Sequence, residues 1–216
     1  MDDKESLWSE LIGKIESCTK CPLHRYRKKA VPGEGSLYSK MLLLGEAPGQ
    51  REDEEGRPFV GAAGKLLTEL LESRGIKRDE VFITNVVKCR PPNNREPRDD
   101  EVIACSEYTL SIIKLVDPKL VVTLGNHAGK FVFKMCGDVE WRGISKMRGK
   151  LYTLRLREIG VLTVIPTYHP ATALYNPNVR YILETDFDLV RSTYMGLTSK
   201  TLTTTRATTL LDFISK

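Results

Sequence analysis

Met41-Leu42-Leu43-Leu44-Gly45-Glu46-Ala47-Pro48-Gly49 sets four apolar residues against a Gly- and Pro-built turn with one carboxylate in it. A run so short and so uniformly apolar reads as a strand buried on both faces. Residues 81–84, 120–124 and 161–165 repeat the pattern with more branched side chains. Helical spacing separates these runs over residues 62–73, over 99–115 with Asp99 and Asp100 at its start, and over 126–135. An amphipathic helix precedes them, with Leu7, Trp8, Leu11, Ile12 and Ile15 at three- and four-residue steps, and a last helix follows over 178–194. Repeated strand and helix units predict a doubly wound parallel sheet. The Thr-rich stretch after Tyr194 carries no periodicity until Leu210 and predicts a tail.

The rest of the composition agrees with one globular domain. A chain of 216 residues with 41% hydrophobic and 28% charged residues has material for a core and too little length for several domains. Its apolar runs fall far below the ~18 residues of a membrane span, and its first residues lack the basic and apolar regions of a secretory signal. Cytoplasmic residence is expected, with no membrane partner. A charge of +5, from 33 basic and 28 acidic residues, fits a polyanionic partner as well as an ordinary basic surface. A single glutamine, Gln50, beside abundant Lys and Glu leans toward the composition of proteins from hot environments.

In an open parallel sheet, ligands bind beyond the carboxyl ends of the strands. Here those ends carry Glu46, Asn85, Asn126-His127 and Tyr168-His169-Pro170. Singly, Asn85 reads as a turn residue and His169 as a core histidine; arriving together from separate strands, a glutamate, an asparagine and a histidine make a site. Nucleotide loops lose their support. Gly64-Lys65 is followed by Leu66, and Phe59 stands where a phosphate-binding loop needs its first glycine. Neither a Gly-x-Gly-x-x-Gly after the first strand nor a Gly-x-Ser-x-Gly elbow is present.

Five cysteines without an export signal point to ligation rather than disulfides. Cys18-x-x-Cys21 has the spacing to grip one metal centre, and Cys89 and Cys105 bring the sulfurs to four; Cys136, in an apolar helix, reads as a small core residue. Spacing alone leaves tetrahedral zinc and an iron–sulfur cubane both open. Basic residues gather nearby: Arg25, Arg27, Lys28 and Lys29 after the first pair, Lys88, Arg90, Arg95 and Arg98 around Cys89, and Arg142, Lys146, Arg148 and Lys150 in a late loop. These are candidate phosphate contacts, and each phosphate neutralised adds about one unit to the salt dependence of binding.

Gly45-Glu46-Ala47-Pro48-Gly49, Glu52-Asp53, Gly56-Arg57-Pro58-Phe59, the stretch 83–92 (Ile-Thr-Asn-Val-Val-Lys-Cys-Arg-Pro-Pro) and Tyr168-His169-Pro170 together resemble the family 4, thermophile-type uracil-DNA glycosylases. The resemblance covers about residues 7–194. It implies a three-layer α/β/α sandwich around a short parallel sheet, and a monofunctional, monomeric enzyme of base excision repair. Such an enzyme hydrolyses the N-glycosidic bond of uracil in single- or double-stranded DNA and leaves an abasic site. It also implies a structural [4Fe-4S] cluster on Cys18, Cys21, Cys89 and Cys105. By similarity Phe59 stacks on the flipped base, the backbone at Glu46 and Ala47 contacts the pyrimidine, Asn85 reads it, and His169 donates to uracil O2 as charge develops there. The Asn85 amide would donate to O4 and accept from N3–H, a pattern that cytosine reverses. Ala47 stands where other branches carry an aspartate, so the water-positioning carboxylate is expected to be Glu52, with Glu46 as its rival. Leu174, or Tyr175 beside it, is the candidate wedge for the gap that the flipped base leaves.

These readings divide the chain into a glycosylase domain over 1–195 and a tail over 196–216. The tail's end resembles a sliding-clamp-binding peptide with Leu210, Phe213 and Ile214 as anchors and Ala207 in place of the usual glutamine. A cluster- or zinc-bearing nucleic-acid binding module and a glycosylase of broader base preference are the competing classes.

Overall fold

The computed structural model describes residues 3–157 and 159–207. In chain order the elements are α1 (Asp3–Glu16), β1 (Glu34–Gly35), β2 (Met41–Gly45), α2 (Gln50–Glu55), α3 (Ala62–Glu72), β3 (Phe82–Asn85), α4 (Asp99–Val116) and β4 (Leu120–Leu124). They continue with α5 (Asn126–Cys136), α6 (Ile144–Met147), β5 (Tyr152–Leu156), β6 (Gly160–Thr167), α7 (Pro170–Ala173) and α8 (Pro177–Ala207). Among the described residues no helix is long and apolar enough to cross a membrane.

The six strands lie in the order β1-β3-β2-β4-β6-β5. Because successive strand side chains point to opposite faces, the apolar run of β2 splits into two sets. Leu42 and Leu44 pack with Phe82, Val121 and Val164 in one core under α1, α4 and α5. Met41 and Leu43 pack with Ile83, Val122 and Ile165 in the other, under α3 and α8. All four β2 side chains are fully buried, each adding about 1.5–3 kcal/mol over exposure. This two-sided burial makes the three layers. Trp8 of α1 fixes one layer by meeting Phe82 edge-on, with ring centroids 5.4 Å apart.

The four inner strands, 3-2-4-6, are parallel, in registers such as Leu43↔Ile83 and Val122↔Ile165. The expected parallel sheet is extended on both edges, where β1 and β5 pair as antiparallel strands. Neither edge shows the continuous apolar signature. β5 buries Leu154 and Leu156 while Thr153 and Arg155 stay exposed, and β1 is only two residues long. From β2 the chain goes to β3 on one side and returns to β4 on the other. That reversal sets a switch point above the carboxyl ends of β2 and β4.

The last helix also departs from expectation, because α8 runs through the Thr-rich stretch to Ala207. Thr198 and Ser199 hydroxyls donate to carbonyls one turn back (Thr198 Oγ1 to Tyr194 O 3.2 Å, Ser199 Oγ to Met195 O 2.7 Å), and Met195 and Leu197 pack on the second core. The boundary expected at 195/196 is therefore no element boundary. The clamp-peptide anchors Leu210, Phe213 and Ile214 lie outside the described residues.

Two basic residues expected to face phosphates do not. Arg148 forms a two-pronged ion pair with Asp186, a carboxylate 1% exposed that also accepts from Thr167 Oγ1 at 2.7 Å. Lys88 is entirely inside the protein. Arg25, Lys28, Lys29, Arg142, Lys146 and Lys150 remain on the surface.

Candidate active site and cysteine cavity

Three of the four strand exits meet at one cavity, which Asn126 and His127 at the fourth do not line. This cavity, of about 350 Å³, lies over the switch point, and Glu46, Ala47, Glu52, Phe59, Asn85 and His169 all line it. Pro91, Asn94 and Arg95 complete one wall. They come from the Pro-Pro-Asn-Asn turn after Cys89, in which Asn93 and Asn94 adopt left-handed φ of 56° and 53°. The turn chemistry of that run was visible in the sequence, but not the direction in which the turn folds. It is held by Arg95, whose two terminal nitrogens donate to the buried Glu101 carboxylate at 2.8 and 2.6 Å.

Asn85 ends β3 with 1% exposure, and its side-chain oxygen has no hydrogen-bond partner. A buried amide left unpaired costs roughly 1–3 kcal/mol and marks a group kept for something else. Directly beside it, Gly45 has bare backbone where any side chain would fail. A Cβ there would lie 2.3 Å from Asn85 Oδ1 and 2.6 Å from the Phe59 ring. The absence of a side chain at Gly45 thus lets the Asn85 amide and the Phe59 ring close in on its backbone, and both line the cavity.

Phe59 reaches the cavity at a cost. It holds φ of 51°, a region that costs a bulky residue about 1 kcal/mol or more. Its carbonyl rests on the first turn of α3, where a Cβ at Gly64 would be 1.8 Å from Phe59 O. Its ring stacks on His169, centroids 5.6 Å apart and planes 29° apart. Glu52 supports this turn. Its Oε1 accepts from Val60 N at 2.9 Å and Gly61 N at 2.8 Å, so a carboxylate on α2 caps the start of α3. Glu52→Ala should lower unfolding free energy by about 2 kcal/mol, while Glu52→Gln, whose amide oxygen still accepts, should lose less than half of that. Urea unfolding of the two variants checks this, and equal losses would remove the capping role.

His169 caps α7. Its Nδ1 accepts from Ala171 N at 3.2 Å, which leaves the ring proton on Nε2. Burial pushes the ring's pKa down to about 4, against a smaller opposite pull from Glu52. The ring is therefore neutral at pH 7 and still a donor. Glu46 is shifted the other way: burial raises its carboxyl above the usual range, with His127 lowering it and Glu96 raising it. His127 Nε2 lies 3.2 Å from Glu96 and 4.0 Å from Glu46, a partnership that the sequence did not disclose.

Cys18, Cys21, Cys89 and Cys105 line a second cavity, between α1, the following turn and α4. Burial raises the thiols of Cys21, Cys89 and Cys105, the last to about 11. Donors already face the sulfurs: Arg27 Nη1 donates to Cys89 Sγ at 3.1 Å and Lys20 N to Cys18 Sγ at 3.5 Å. Among the described residues no three His, Cys, Asp or Glu side chains close tightly enough to hold a single metal ion. Cys136 stands apart, half-buried at the end of α5 against the first core.

The family model for the uracil DNA glycosylase superfamily matches residues 32–189. The chain is 52% identical over 204 residues to the type-4 uracil-DNA glycosylase of Sulfurisphaera tokodaii, covering 94% of this chain and 89% of the relative. It is 49% identical over 194 residues to that of Saccharolobus solfataricus, covering 89% and 88%. It is 42% identical over 194 residues to that of Thermotoga maritima, covering 89% and 97%. With parallel inner strands, three of whose exits converge on one cavity, and with likeness spanning nearly the whole of both chains, this protein belongs to the type-4 uracil-DNA glycosylases of the uracil-DNA glycosylase superfamily.

Proposed function

We propose that this protein excises uracil from DNA by hydrolysing its N-glycosidic bond, and that the slot between Asn85 and Phe59 receives the base. One observation carries the assignment of the slot: the buried Asn85 side-chain oxygen has no partner within the protein, and Asn85 lines the same cavity as Phe59 and His169. Inside a duplex the glycosidic bond is out of reach, so the nucleotide must first be flipped, at a few kcal/mol. The Phe59 ring offers the flipped base a stacking face. The Asn85 amide supplies an acceptor for N3–H and a donor for O4, whereas cytosine presents a lone pair and an amino group at those positions.

Bond cleavage leaves negative charge on the departing base and an oxocarbenium-like sugar. His169 Nε2–H donates to the base oxygen as that charge grows, and a neutral ring does so without moving a proton at neutral pH. Of the two carboxylates, Glu52 has one oxygen engaged by backbone amides and acts on the site by holding Phe59 in place. Its second oxygen faces Gly49, and with Glu46 it remains a candidate for orienting water.

The four cysteines fit a [4Fe-4S] cluster. They border one cavity, and N–H donors already face two of the sulfurs. Cys18, Cys21, Cys89 and Cys105 would hold it, and when bound it supplies a structural pin between the α1 turn, the Cys89 loop and α4 rather than a step of hydrolysis. The surface cations Arg25, Lys28, Lys29, Arg142, Lys146 and Lys150 supply phosphate contacts. The domain extends past 195 with α8, and a clamp-binding peptide over 207–216 is a separable addition.

The test is a labelled oligonucleotide carrying a single uracil, incubated with the protein and then cleaved in alkali. Strand scission that needs the uracil, and is absent from an identical strand with thymine there, is expected. A protein that binds the strand but leaves it intact would instead be a binding module.

A further inference from the structure

Lys88 is 1% exposed, yet its ammonium group is surrounded by oxygen. Nζ lies 3.0 Å from Thr84 Oγ1 and 3.0 Å from Thr109 Oγ1, and it also contacts the main-chain oxygen of Asn85. The proton count around it is fixed by the neighbours. Thr84 spends its hydroxyl proton on Pro32 O at 2.7 Å and Thr109 spends its own on Val86 O at 2.9 Å, so both can only accept from Lys88. A carbonyl has no proton to give. Three acceptors need three N–H donors, which a neutral amine lacks and an ammonium has. The site is built for a charged lysine.

A buried cation without a counter-charge is strongly disfavoured. Among the described residues no Asp or Glu lies within ion-pair distance of Lys88. Its ionisable neighbours are the sulfurs of Cys105 and Cys89, and it lines the cavity that they share with Cys18 and Cys21. Four thiolates holding a cluster carry net negative charge, and Arg27 and Lys20, which also line the cavity, sit nearer the surface.

We propose that Lys88 is the internal counter-cation of the cysteine site: a fixed buried charge that stabilises the cluster-bound thiolates and, through the Asn85 carbonyl, ties them to the end of β3. The proposal rests on the cluster reading above. In this arrangement Lys88 is a positioning residue, since it touches neither the base nor the sugar. It also accounts for a cation in a place where it can reach no phosphate.

The experiment uses cluster-loaded protein with Lys88→Met, which keeps the length and loses the charge, and Lys88→Gln, which keeps two N–H donors and guards against a variant that misfolds. The first readout is the decay of the visible cluster absorbance in excess chelator. Both variants should lose it about 10- to 100-fold faster than the parent. The second is the cluster's reduction potential, which should move negative in both, because removing a nearby positive charge disfavours the added electron. A merely structural lysine has no reason to move the potential in that direction. Parental decay rates, or a potential unchanged or shifted positive, would overturn the proposal. Iron-free parent protein after reconstitution would instead overturn the cluster reading, and this inference with it.

Discussion

Asn85→Ala is expected to reduce uracil excision by about 10²- to 10³-fold, the usual cost of removing one well-placed polar group from a transition state, without destabilising the protein. The two halves of this result have one cause. In the free protein the Asn85 oxygen is buried and has no partner, so truncation removes no hydrogen bond and relieves a desolvated group. The main-chain carbonyl of Asn85, which Lys88 grips, is untouched by the substitution. An ordinary buried asparagine would behave in the opposite way, with stability falling and chemistry indifferent. Single-turnover rates on the uracil strand and urea unfolding of the same preparation read both halves. A variant that loses stability while keeping near-parental rates would return Asn85 to a structural role. Residues that are poor for folding and good for a ligand are where sequences trade stability for activity.

The parts of this protein that were legible in the sequence are those where one physical demand acts alone. Residues 41–44 and 120–124 must be apolar on both sides because helices cover both faces, so their runs announce inner strands. β5 obeys two demands at once, core on one side and solvent on the other, and a five-residue alternation was too short to stand out. The site divides in the same way. Glu46, Asn85 and His169 could be found because each follows a strand, and the sheet's topology brings strand ends together. Asn94 and Arg95 reach the cavity through the path of an irregular loop, which no periodicity encodes. Lys88 shows the limit most plainly. Beside Cys89 and two residues before Arg90 it reads as a surface cation, and only the three oxygens closing around its nitrogen reveal a buried one. Glu52 was found as a carboxylate near the site, while its grip on Val60 and Gly61 depends on two segments eight and nine residues apart folding back on each other.

His169→Ala should lower excision by about 10²-fold or more, and the parent ring should titrate near pH 4 rather than near 6.5. The direction follows from the environment. Burial penalises the imidazolium, and Nδ1 already accepts from Ala171 N, a bond that protonation would destroy. The folded state therefore takes up the proton later than the unfolded chain does. Between about pH 4 and 6.5 the unfolded chain binds more protons at this ring, so His169 makes stability rise with pH across that window and leaves it level above. Activity has a matching consequence. Because the ring is neutral with its proton on Nε2 down to about pH 4, His169 contributes no fall in rate as pH drops from 8 to 5, and any inflection near 6.5 must come from another group. Glu46 is one candidate, since burial raises its carboxyl above the usual carboxylate range. Proton–nitrogen NMR of the ring checks the tautomer and the titration together: Nε2 should carry the proton at pH 7, and the ring should charge only near pH 4. A ring that carries its proton on Nδ1 would leave no donor aimed at the base and would move the task of meeting the developing charge to the backbone at Glu46 and Ala47, whereas one that titrates near 6.5 would overturn the neutral-ring assignment, since an imidazolium would then serve below that pH.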